Sequence, residues 1–481
     1  MRNVVQHLFR RAPGETGTLP RRRAFLAVAV LATLIGIVEW KRLPRAPFDS
    51  LSYDGFRYLA GACSLLDHGR YLDIAAEPQR TWPPGTSLLY AALARVTGQK
   101  PEQLVTFVGL MSYLLIAIAL AMTMRTTIRR WPVAALGFVA IALNFAIINL
   151  TNRFWSEPPA LTALMWGLLM TIDAVDRRSE SRMLAAALLF SLAILFRFAL
   201  IATVPLAFVA AAIASGRLRT PVLMLLIPAP MIVVLRVLAP GAHTGAPFRI
   251  SSLPFAEDWK GLTELANQIF PAQLGWAGAL LFVALIGSVI WVAGSAGVQH
   301  GSRETAMFVH FGWIVLYAMF LLLAQWIWVS PAPVIDLRML LPLYPSIVIV
   351  LMTGVDRLMD SGSRVLAAFT VLAVAVGTAR ALHPLVQRRP HPVLTCASWG
   401  DVAASIDRLA PRLHGELASN AQGLAWFVLR RPIRKLSEAK AGSLIIFVDG
   451  SRTCPDTVET TEFPKDASLV AADGSVMIVR W

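Results

Sequence analysis

Apolar runs of about 16–25 residues, long enough to cross a bilayer as helices, recur along most of this chain and leave it few alternative folds. A soluble globule does not carry them: of 481 residues 56% are hydrophobic and 15% charged, and the mean hydropathy is +0.60. The net charge of +15 would suit a nucleic-acid partner. The basic residues, however, fall mostly in short connections between apolar runs, as the positive-inside rule requires, so a membrane is the expected partner and no nucleic acid is. Only six of the 44 basic residues are Lys. Arginine suits phosphate forks; a GC-rich genome would give the same bias. Three cysteines make neither a disulfide framework nor a metal site. No His/Cys/Asp cluster has zinc-ligand spacing, and neither a metal nor a cofactor is expected.

The chain is expected to be a polytopic α-helical membrane protein with about eleven transmembrane helices. Residues 1–23 form a basic tail, followed by an apolar run without a small-residue cleavage site, which places the N-terminus in the cytoplasm. The membrane domain is read as 24–390. Its spans are Ala24–Trp40, Leu104–Met124, Pro132–Leu150, a fourth opening at Pro158-Pro159, Met183–Phe196, Phe198–Ala214, Pro221–Ala239, Leu274–Gly294, Ala306–Val329, Leu337–Val355 and Val365–Leu382. With this count RTTIRR, DAVDRRSESR, GRLRT and VDRLMDSGSR all fall on the cytoplasmic side.

The first periplasmic loop, about 41–103, is roughly sixty residues long, and connections of that length without a job of their own are uncommon. Two juxtamembrane helices are read within it. Asp54–Asp67 has Phe56, Leu59, Ala60, Cys63 and Leu66 on one helical face, and Thr86–Val96 follows the Pro83-Pro84-Gly85 break. Residues 391–481 read as a small periplasmic α/β domain. Its helices are Trp399–Leu409 and Gly423–Arg430, and its strands Ser443–Val448, Ser468–Ala471 and Ser475–Val479. Cys396 and Cys454 fall there, either as a disulfide or as two separate thiols.

The periplasmic side collects Asp54, Arg57, Tyr58, Arg80 and Trp82 in the first loop and Arg153 and Glu157 in the second, then Arg197, Arg236, Arg249, Arg338 and Arg380. Positive-inside predicts few arginines there, and a charge at a span end is costly and usually functional. An anionic ligand, most simply a phosphate, accounts for the set; each arginine taken singly is also explained by snorkelling to lipid headgroups. Asp54 and Glu157 each sit where an acid could simply cap a helix. Taken with the arginines, they could draw a proton from an acceptor hydroxyl while guanidinium groups stabilise a departing phosphate.

Three stretches, YDGFRYL with WPPGTSLLYA, RFWSEPPALTALMW, and DLRMLLPLYPSIVIVL, together resemble the GT-C superfamily of membrane glycosyltransferases, the group with the lipid A aminoarabinose transferases and protein O-mannosyltransferases. The resemblance implies a sugar donor on a polyprenyl phosphate, an acceptor in the periplasm (lipid, glycan or protein), and inverting transfer at the outer face of the bacterial inner membrane. It also implies that Asp54 is the catalytic base or the group that orients the acceptor, that Glu157 assists at the acceptor or donor sugar, and that Arg338 meets the donor phosphate. Arg57, Tyr58, Arg80, Trp82, Arg153 and Arg197 complete the expected substrate-binding set. Many members carry an acidic pair in the first loop and a Tyr after the late Arg; here Tyr53 and Gly55 flank Asp54, and Met339 follows Arg338. A transporter or flippase would place its acids at the bilayer midplane and show paired halves, and a surface-polysaccharide polymerase or ligase would carry its largest loop late. The acids here sit at one face, and the largest loop comes first.

Overall fold

In lipid no water satisfies backbone N–H and C=O groups, so each apolar run has to close its hydrogen bonds on itself. The computed structural model follows that rule. It describes residues 19–42, 53–79, 82–215, 219–238, 255–270, 275–295, 302–327, 335, 337–387, 398–440, 442–448, 468–473 and 476–480. The first helix, α1 (Leu19–Arg42), leads to the two short helices of the first long connection, α2 (Tyr53–His68) and α3 (Gly85–Thr97). Then come α4 (Val105–Thr127), α5 (Trp131–Ala142), α6 (Phe145–Thr151), α7 (Glu157–Asp176), α8 (Glu180–Phe196) and α9 (Thr203–Ser215). After them lie α10 (Arg219–Met224), α11 (Ala229–Leu238), α12 (Phe255–Ala266), α13 (Gly275–Ser295), α14 (Ser302–Ile327), α15 (Leu337–Leu340), α16 (Tyr344–Asp360) and α17 (Arg364–Gln387).

Among the described residues each of the eleven segments read as spans contains helix, the seventh as the two short helices α10 and α11. Among the described residues, seven helical stretches are long and apolar enough to cross a membrane, or eight if α5 and α6 form one span bent by 49°. That count is lower than eleven because α8, α13 and α17 fall outside the set; α8 has 17 residues against the about 20 a bilayer needs. The bend between α5 and α6 has a local cause. Asn144 leaves the helix, and its Oδ1 accepts from the N–H groups of Ala146 at 2.9 Å and Ile147 at 3.3 Å, opening a new helix in mid-run. Between the segments read as spans at 221–239 and 274–294 lies α12, whose Leu265 and Ala266 reach the core.

The stretch Leu337–Asp360 is the strut of the bundle. Its most apolar window is 94% buried, against 17% for Arg219–Leu238 at the periphery. Small residues let neighbours approach, as membrane packing favours: a Cβ on Gly167 of α7 would stand 2.5 Å from the Phe190 ring of α8. At one end of the strut sits Arg338. At the other, the wholly buried Asp356 accepts from the backbone N–H groups of Arg129 at 2.9 Å and Arg130 at 3.2 Å, and pairs with Arg130 at 3.0 Å and Arg303 at 2.7 Å.

The C-terminal part folds as a small domain of α18 (Ser398–Leu409), α19 (Gln422–Leu429) and five strands: β1 (Leu417–Ser419), β2 (Arg434–Lys435), β3 (Leu444–Val448), β4 (Ser468–Asp473) and β5 (Val476–Arg480). The order is β2-β1-β3-β5-β4; β1 runs parallel to β2 and β3, and β5 antiparallel to β3 and β4. β1 and β2 are too short for alternation to reveal them in the sequence. This sheet domain shares one hydrophobic cluster with α2 and α3, in which Phe56, Leu59 and Tyr90 meet Val402, Leu424 and Ile446. Cys396 and Cys454 lie outside the described residues.

Candidate active site

Four local features of the sequence bring charge to one place. Asp54 lies in the first turn of α2, where an acid suits the exposed N–H groups and the dipole. Glu157 opens α7, followed by two prolines that need no N–H donor in a first turn. At Arg197 the backbone leaves α8 in an extended conformation, φ −149° and ψ 112°, and a short 3-10 turn, Phe198–Ala202, follows before α9. Arg338 lies in the single turn of α15 that precedes the strut.

Tertiary packing makes these four one cluster. Arg338 Nη2 lies 2.6 Å from Asp54 Oδ2, and its Nε lies 3.1 Å from Glu157 Oε1. Arg197 Nη1 donates to the same Glu157 oxygen, and Ser156 Oγ donates to Glu157 Oε2 at 3.3 Å. Beneath the guanidinium groups lies Trp155: Arg338 stands 5.1 Å and Arg153 4.9 Å from its ring centre. The side chains of Glu157 and Arg197 are only 4% and 11% exposed, whereas those of Asp54 and Arg338 are 21% and 30% exposed. The outer pair is therefore open to the surroundings, and the inner pair is shut away behind it. A narrow cleft of about 10 Å³ is lined by Glu157, Arg197, Arg338, Leu161, Leu164, Leu200 and Pro342.

The remaining expected residues divide. Tyr58, one turn beyond Asp54, is buried; burial lifts its hydroxyl well above the ordinary phenol range and the Glu157 charge adds to that, so it stays protonated beside Ser156. Arg57 is buried with its guanidinium 5.5 Å from the Trp82 ring centre. Arg153 meets the cluster at the Trp155 face. Arg80 and Arg249 lie outside the described residues. Arg236 is exposed on α11, and Arg380 donates to the Phe270 carbonyl rather than to either acid. Among the described residues no group of three His, Cys, Asp or Glu could hold a metal.

Sequence reasoning missed Trp155, Ser156, Gly85 and Gln422. Trp155 stood between Arg153 and Glu157, and an aromatic among span-end arginines was the available signal. Gly85 is explained by a close approach: a Cβ there would lie 2.5 Å from the Leu195 carbonyl oxygen and 2.9 Å from Phe196 N. The Pro83-Pro84-Gly85 turn thus abuts the end of α8 that presents Arg197.

No protein-family model matches the chain, and no curated protein matches it. The solved structures that match include ArnT from Cupriavidus metallidurans bound to undecaprenyl phosphate, and the same protein in the apo state. Each superposes with a TM-score of 0.56 at 14% identity, covering 94% and 95% of this chain and 97% of ArnT. At that identity the likeness is one of fold. The chain has a GT-C-like fold over nearly its whole length, with a small C-terminal sheet domain.

Proposed function

We propose that this protein is an integral-membrane glycosyltransferase that moves a sugar from a polyprenyl-phosphate donor to an acceptor hydroxyl. The observation that carries the reading is the Asp54–Arg338–Glu157 arrangement: a partly exposed carboxylate and a guanidinium meet at the mouth of an apolar cleft. The GT-C-like fold shared with ArnT, which was solved with undecaprenyl phosphate, supports the donor class. Asp54 takes the proton of the acceptor hydroxyl as that oxygen bonds to the sugar's anomeric carbon. The bond from that carbon to the phosphate oxygen breaks, and the electron pair leaves on a phosphate held by Arg338. Attack from the face opposite the leaving phosphate inverts the anomeric centre.

Glu157 is better placed to orient than to transfer protons. It is 3% exposed and already meets Arg197 and Arg338. Arg57, Tyr58, Trp82, Arg153 and Arg197, with Arg80, form the substrate-binding surround. The arginine-rich connections Arg129-Arg130 and Arg177-Arg178 support placing that end in the cytoplasm and the Arg338 end in the periplasm of a bacterial inner membrane. The domain division is 1–23 cytoplasmic, 24–390 in the membrane and 391–481 periplasmic. Charge concentrated at the ends of the 337–360 strut, with an apolar middle, disfavours a transporter.

The test is transfer by the purified full chain from an undecaprenyl-phosphate-linked sugar to envelope acceptors. Asp54→Asn that folds normally yet transfers at the wild-type rate overturns the assignment of the base. A wild-type chain that neither binds undecaprenyl phosphate nor releases it from a loaded donor overturns the glycosyltransferase reading.

A further inference from the structure

Arg57 lies one helical turn after Asp54 on α2, yet it is not directed by α2 alone. Its Nη2 stands 3.4 Å from Oε1 of Gln422, the first residue of α19 in the sheet domain. Both side chains are buried, at 7% exposure each. On its other side the guanidinium faces the Trp82 ring, and Asp73 lies within reach of its charge.

The orientation of the Gln422 amide is fixed from behind. Its Nε2 donates to the Ile433 carbonyl at 2.6 Å. A carbonyl only accepts, so the amide oxygen must be the atom turned toward Arg57. Ile433 is in turn tied to the first connection, its N–H donating to the Ile74 carbonyl at 3.1 Å. Next to Gln422, Gly423 packs so closely on α2 that a Cβ would lie 2.6 Å from the Phe56 ring. The acceptor oxygen therefore has a set position relative to Asp54. Losing it removes one of the contacts that orient Arg57, whose neighbour Asp54 lies three residues back on the same helix face.

We propose that Gln422 is a positioning residue that holds Arg57 against Trp82 for the anionic head of the donor, so that the C-terminal sheet domain is part of the donor site. The inference rests on the lipid-phosphate donor reading above. Gln422 touches no substrate; it acts through Arg57.

The experiment measures undecaprenyl phosphate binding and donor kinetics on the full chain for wild type, Arg57→Ala, Gln422→Ala, Gln422→Glu and the Arg57→Ala/Gln422→Ala pair. Losing one hydrogen bond to a charged group should weaken binding by Gln422→Ala about 3–10-fold. KM for the donor should rise in proportion while kcat stays within about twofold of wild type. In the Arg57→Ala background the same change should add nothing. Gln422→Glu, whose carboxylate loses the donation to the Ile433 carbonyl and competes with the donor phosphate for Arg57, should bind more weakly than wild type. If Gln422→Ala does not fold, Gln422→Met keeps the bulk without the acceptor and must show the same loss. A Gln422 variant lacking the acceptor that binds as wild type does, or whose loss multiplies with that of Arg57→Ala, overturns the inference and leaves the donor reading standing. A wild-type chain that fails to bind undecaprenyl phosphate overturns both.

Discussion

Arg338 Nη2 donates to Asp54 Oδ2 across 2.6 Å, while the Nε of the same guanidinium faces Glu157 Oε1 at 3.1 Å. One side chain from the late turn α15 thereby locks the first long connection to the start of α7. On the function proposed above, a donor phosphate that binds Arg338 has to compete with Asp54 for it.

That competition gives Asp54→Asn two effects of opposite sign. Transfer should fall roughly 10²–10⁴-fold with the loss of the base. Undecaprenyl phosphate should bind more tightly, by several-fold on the order of one kcal/mol, because a neutral amide holds Arg338 less strongly than a carboxylate. Equilibrium binding to the substituted and native proteins checks this; weaker binding by Asp54→Asn would count against the competition.

Arg338→Lys keeps the charge and should still fail. A guanidinium meets two carboxylates through separate nitrogens in a fixed plane, whereas an ammonium is a point charge that cannot span both. Donor binding should weaken about tenfold, an order-of-magnitude figure for one lost charge-assisted contact. Titration with undecaprenyl phosphate measures it.

Removing the inner acid should cost fold before function. Glu157→Ala leaves Arg197, 9% exposed, without its carboxylate. Breaking one side of a buried pair costs about 3–5 kcal/mol. The detergent-solubilised protein should melt several degrees lower, and an unchanged Tm would contradict the anchoring role.

Gly85→Ala tests how the Pro83-Pro84-Gly85 turn sets Arg197. The added methyl group meets the Leu195 carbonyl oxygen at 2.5 Å, and backbone cannot yield as a flexible side chain would. Overpacking of this kind costs about 1–3 kcal/mol. Transfer should drop along with Tm, and a protein with native kinetics would show that the turn is not held against α8.

Cys63 on α2 gives a pH prediction. Burial, offset in part by Arg430, pushes its thiol up to about 11. The neutral thiol is therefore favoured in the folded state, so its contribution to stability is whole below pH 9 and shrinks as the pH climbs toward 11. Maleimide labelling of Cys63 should be slow at pH 8 and accelerate only toward pH 11; rapid labelling at pH 8 would show the thiol to be open.

The sequence alone determined that this chain is a bundle of membrane helices with two short helices in a long first connection. Apolar run length and helical period act locally, and lipid leaves the backbone no other way to satisfy its hydrogen bonds. The strands Leu444–Val448 and Val476–Arg480 were legible for the same local reason. The identities of Asp54, Glu157 and Arg338 as notable charges were legible too, because charge at a span end is costly. Their meeting was not: residues 54, 157, 197 and 338 are far apart in the chain, and only the packing of α2, α7, α8 and α15 decides that one guanidinium serves two acids. Packing also decided that Glu157 lies inside and Asp54 outside, and that Gln422 of the sheet domain reaches Arg57. Periodicity reports which face of a helix is greasy; which neighbour that face finds depends on contacts between distant segments, and those exist only in the folded molecule.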